Sequence, residues 1–85
     1  MEYIIVAFRS RAHSVKMHEF LRHNNVYSEI INTPKEAGVG CGLSVKISKE
    51  RIALVKKLVL LLKLSSFAGF FLCKIEGGKR MIKTI

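Results

Sequence analysis

The segment NTPKEAGVGCGLSVKI, residues 32–47, sets Cys41 between Gly40 and Gly42, at the end of a loop and just ahead of an alternating strand pattern. Glycines on both sides remove side-chain cover from a sulfur and leave the adjoining N–H groups free to turn toward it, which favours thiolate over thiol. Lys35 in the same loop and a net charge of +9 act in the same direction. A thiolate is the better nucleophile and the better metal ligand. The competing reading is a small buried hydrophobe at a strand start, because free cysteines are commonly buried and inert.

The other chemistry-bearing residues offer less. In FFLCKI, Cys73 shares a strand face with Phe71 and Ile75 and reads as a packed structural cysteine ahead of a resolving thiol. His13, His18 and His23 are spaced by five, which does not stack them on one side of a helix. No metal site and no cofactor is expected from these residues.

Elements that would position Cys41 follow from the apolar patterning. EYIIVAF, residues 2–8, reads as a buried strand, and Ser10 as the cap of a helix over 11–24 with Met17, Phe20 and Leu21 on one side and Ser14, His18 and Arg22 on another. The NN pair at 24 and 25 marks its exit. VYSEIIN, residues 26–32, is a second strand, stopped by Pro34, where the glycine-bearing loop to Gly42 begins. LSVKIS then alternates strictly, Leu43, Val45 and Ile47 on one face against Ser44, Lys46 and Ser48 on the other.

Ser48 or a neighbour opens a second helix with Ile52, Val55, Leu58, Val59 and Leu62 as its apolar face. Leu60 and Leu64 are placed on its far side, either partly exposed or as a small contact for another chain. FAGFFLCKI is a fourth strand, EGG at 76–78 a break, and KRMIKTI a basic tail or a further strand. The order strand, helix, strand, strand, helix, strand predicts an α+β domain. Its expected form is a ferredoxin-like βαββαβ sandwich, a four-stranded antiparallel sheet with both helices on one face and the other face partly wet. Eighty-five residues make one such domain, with a core over about 2–75 and the 76–85 segment outside it.

TPKE, a short glycine-containing loop, CGL and an alternating strand, preceded by a strand and a helix, together resemble the small sulfur/selenium carrier-like proteins, formerly a domain of unknown function. The resemblance spans about residues 3–75. It implies that Cys41 is the carrier residue, with Gly42 completing the CG pair and Thr33 and Pro34 matching the TP ahead of the loop. Lys35 stands where arginine is expected, keeping the charge while losing bidentate anion binding. The implied role is a relay and not an enzyme: sulfur or selenium is loaded on Cys41 by a donor protein and taken by an acceptor protein.

Two cysteines are too few for a disulfide-stapled secreted domain, and no basic segment precedes the apolar N-terminal run as in a signal peptide. A reducing cytoplasm is expected. The apolar run from Ile52 to Leu64 is broken by Lys56, Lys57 and Lys63 and is too short for a membrane span. The alternative reading is a basic module binding nucleic acid or an acidic protein partner, with Tyr3 and Phe70 as base-stacking candidates. The aromatic signature of an RNA-recognition sheet is absent from the third strand, and a homodimer stays open.

Overall fold

The computed structural model describes residues 1–38 and 42–85. Strand β1 (Glu2–Phe8) is buried from Tyr3 to Phe8. Successive side chains in a strand point to opposite faces, so a strand this uniformly apolar requires cover on both.

Helix α1 (Arg11–His23) starts where expected: the Ser10 hydroxyl accepts the His13 N–H at 3.3 Å from an extended backbone position. Its exit is a Schellman motif. Val26 N–H donates to the Leu21 carbonyl at 2.9 Å and Asn25 N–H to Arg22 at 3.1 Å, with Asn25 left-handed at φ 60°. Val26 and Leu21 then join the same core cluster. The second strand is consequently shorter than the 26–32 run, since Val26 belongs to the helix exit; β2 is Glu29–Asn32.

A 3₁₀ turn at Lys35–Ala37 follows Pro34 and closes on Gly38, which is left-handed at φ 67°. Strand β3 is Leu43–Ile47. Ser48 does not cap the second helix: its hydroxyl donates to the Glu50 carboxylate, and a 3₁₀ turn at Lys49–Arg51 leads into helix α2 (Ile52–Leu62). Strands β4 (Phe67–Glu76) and β5 (Lys79–Thr84) complete the fold.

All five strands join one antiparallel sheet in the order β2-β3-β1-β4-β5. This corrects the four-stranded ferredoxin-like expectation; the architecture is α+β, with two helices on a five-stranded sheet. The fifth strand forms because the break at 77 and 78 is a hairpin turn. Gly77 and Gly78 both take positive φ, 55° and 79°, the geometry of the two-residue loops whose twist matches paired strands. The basic tail therefore folds back, pairing Glu76 with Lys79 and Cys73 with Ile82.

Both helices lie on one face, where Met17 and Leu21 of α1 and Val55, Leu58 and Val59 of α2 pack with Ile4, Val6, Phe8, Val45, Ile47 and Phe70. Ser14, assigned by periodicity to another side of α1, is fully buried here and donates to the Leu43 carbonyl at 2.9 Å. Ser14, Met17 and Leu21 form an i, i+3, i+7 stripe whose small first member lets α1 approach β3. The opposite face is also sealed, by a second cluster of Tyr3, Ile5, Ala7, Phe71 and Cys73.

The hairpin makes a testable demand. Replacing Gly77 and Gly78 together by alanine forces two L-residues left-handed, and we expect a loss of about 1 kcal/mol at each in thermal unfolding, with β5 amides losing exchange protection first. Unchanged stability would contradict this turn geometry.

Candidate functional site

Thr33 fastens the loop between β2 and β3. Its N–H donates to the Gly42 carbonyl at 3.0 Å, and its hydroxyl shares a 2.6 Å hydrogen bond with the Ser44 hydroxyl. The two ends of the loop are thus held side by side. Pro34 is buried and directs the chain into the 3₁₀ turn, whose Ala37 packs on the second apolar cluster. Glu36 then reaches Arg80 of β5 at 3.4 Å. Since β2 and β5 are opposite edges of the sheet, the loop crosses the helix-free face as a strap.

Of the residues assigned to the site from sequence, Thr33 and Pro34 are anchors, Lys35 is exposed at the start of the 3₁₀ turn, and Gly42 is exposed with its carbonyl engaged by Thr33. Cys41 and Gly40 lie outside the described residues. The carboxyl of Glu36 is kept below its ordinary pKa, first by a hydrogen bond from its own backbone and then by Arg80. Arg80, which reads in sequence as part of a basic tail or a further strand, is the residue of β5 that the strap reaches. The opposite charges of Glu36 and Arg80 were its only sequence signal.

Cys73 is fully buried under this face, paired in register with Tyr3 and Ile82. The Tyr3 phenol is pushed up from its usual value, first by burial and then by the neighbouring Cys73 thiol. Ser44, expected on a wet face, is fully buried, and the Lys46 ammonium lies over the Tyr3 ring at 4.5 Å. This face is therefore not the wet surface that the alternation in β3 suggested.

The remaining candidates are dispersed. His13 Nδ1 lies 2.6 Å from the Ser66 hydroxyl and His18 Nδ1 2.6 Å from that of Ser28, each histidine tied to its own serine. Among the described residues no three His, Cys, Asp or Glu side chains converge as a metal site would require. Tyr3 and Phe70 are both buried, so neither of these two rings stands out from the surface as base stacking would need. Leu64 packs against the main core instead of facing outward, whereas Leu60 and Leu61 of α2 are largely exposed. Among the described residues no helix is long and apolar enough to cross a membrane.

Compared with known families, the chain matches the model described as "Putative Se/S carrier protein-like" over residues 2–63. The chain belongs to this family. The carrier-family match runs from β1 through α2 and takes in Cys41 together with both anchors of its loop. Strands β4 and β5 lie beyond it, so Arg80 contacts the family region from outside. No curated protein and no solved structure matches the chain.

Two measurements check this geometry. Thr33→Val strands the buried Ser44 hydroxyl, and we expect it to cost about 1–2 kcal/mol, with Thr33→Val/Ser44→Ala costing less than the sum of the single changes. Strict additivity would show that the two hydroxyls are not coupled. For Tyr3, whose folded pKa is raised, the native state holds its proton longer than the unfolded chain. Its contribution to stability is full below the unfolded value of about 10 and is lost as pH rises through the folded value. We expect Tyr3→Phe to remove a late phenolate step from the ultraviolet titration and to flatten the decline in stability above that pH.

Proposed function

We propose that this protein carries sulfur or selenium on Cys41 between a donor and an acceptor protein. In the loading step the Cys41 thiolate attacks the outer sulfur of a persulfide on the donor, an S–S bond forms, and the donor cysteine leaves as its thiolate. In the unloading step a nucleophile on the acceptor attacks that same outer sulfur and Cys41 leaves as thiolate. Neither step needs an external oxidant or reductant, because the sulfane sulfur moves with its oxidation state unchanged. Selenium transfer follows the same path through a selenyl sulfide.

The observation that carries this reading is the family match, whose span includes Cys41 and the Thr33, Pro34 and Gly42 positions around it. The neighbouring geometry is consistent with it. The Thr33 to Gly42 hydrogen bond ties the residue after Cys41 to the end of β2, so the loop is closed at its base by a fixed support. Exchange by this route proceeds without a general base once the sulfur is ionised. The basic chain would steer such a carrier toward acidic partner surfaces, and a reducing compartment would keep its thiol available.

Incubation with a cysteine desulfurase and free cysteine tests the proposal by intact mass. We expect a gain of one sulfur atom in the parent protein and in Cys73→Ala, and no gain in Cys41→Ala. Loading that persists in Cys41→Ala would overturn it.

A further inference from the structure

The fifth strand widens the sheet beyond its two helices. On the helix-bearing face, a hollow of about 340 Å³ opens beside α2, lined by Val59, Leu60, Leu64, Phe67 and Phe70, with Lys56 and Lys63 among its walls. A second hollow of about 410 Å³ is lined by Leu72 and Met81 together with Lys74, Lys83 and Glu2. Phe70 and Leu72 are two residues apart on one face of β4, so both hollows open on the helix-bearing face, and we treat them together as one groove. Its lining comes from α2, β4 and β5.

From these observations we propose that this groove docks an amphipathic helix of another protein, carrying acidic residues on either side of its apolar stripe. The exposed apolar side chains supply the seat: Leu60 is 73% exposed and Met81 53%. Charge selects the occupant. Lys56 lies over the Phe70 ring at 5.6 Å, and among the described residues neither it nor Lys63 nor Lys83 has an ion-pair partner. Lys74 is 3.6 Å from Glu76, and Glu2, the carboxylate among the described residues lining the groove, is already neutralised by Lys49 at 2.6 Å. A second copy of this chain is disfavoured, because its own helices bring Arg11, Lys16, Arg22, Lys56 and Lys57 against these lysines. A flat anionic membrane would cover the lysines but not fill the hollow. The groove does not depend on any cargo at Cys41.

Lys63 supplies a variant that separates binding from folding. It ends α2 in the left-handed conformation, φ 51°, which glycine takes without strain, so Lys63→Gly removes a rim charge without loosening the helix end. The probe is a fluorescein-labelled 18-residue designed helix with leucines at helical spacing and flanking glutamates, compared with the same peptide bearing lysines instead and with phosphatidylglycerol vesicles. In ¹H–¹⁵N spectra of the full chain we expect the acidic peptide to shift amides from Val59 to Phe70 and at Leu72 and Met81. Leu60→Glu should weaken binding at least ten-fold and Lys63→Gly several-fold, with melting temperatures no lower than that of the parent. Absence of binding, equal binding of the lysine peptide, shifts elsewhere, or affinity unchanged in Leu60→Glu would overturn the proposal. Binding of vesicles but not peptide, or self-association through the same amides without peptide, would assign the groove to a membrane or to a second copy and overturn it likewise.

Discussion

Strand β1 is the member on which the rest of the structure depends, because it is sealed on both faces by different means. One face is covered by two helices, in the ordinary way of an α+β domain. The other is covered without any helix, by Ile31, Ala37, Ala68 and Ile82 drawn from four separate elements and by the loop that crosses from β2 to β5. Removing that cover would expose Tyr3, Ile5, Ala7, Phe71 and Cys73 together. The loop is thus constrained by the core beneath it, and Thr33, Pro34, Ala37 and Glu36 each hold it at a different point.

This arrangement links the loop between β2 and β3 to the stability of the fold. The described part of the loop, Thr33 to Gly38 and Gly42, is tied at its base and touches the far edge of the sheet. The ties differ in kind. The Thr33 and Ser44 hydroxyls form a partly buried pair, costly to break from one side only, while the Glu36 and Arg80 pair is exposed and contributes little by itself. The base of the loop is therefore the firm end.

Much of this was legible in the sequence, and the losses have physical causes. The uniform apolar run of β1, the alternation of β3, the Ser10 cap and the apolar face of α2 each carry a local signal that tertiary packing did not override. The fifth strand was legible only as one of two readings of its segment, since Lys79, Arg80 and Lys83 interrupt its apolar residues and the glycine pair ahead of it read as a break and not as a hairpin turn. Ser14 and Ser44 were placed outside because small hydroxyl residues look polar in a periodicity, although each is buried with a hydrogen bond to the opposing element. The cover of the second face had no periodic signature, being assembled from residues far apart in the chain. Of the candidate site, the Thr33, Pro34 and Gly42 framework was visible through resemblance to the carrier family, whereas the role of Arg80 depended on a strand pairing that spacing does not announce.

The central claim is that the two cysteines have opposite roles, Cys41 as the reacting thiol and Cys73 as packing beneath the strap. The rate of alkylation of each, followed by mass spectrometry in the native protein as a function of pH, tests it most directly. The account predicts rapid modification of Cys41 at pH values below the ordinary thiol pKa of about 8.5, with Cys73 unmodified until the protein unfolds. A slow Cys41, or a Cys73 that reacts as fast in the folded state, would contradict it.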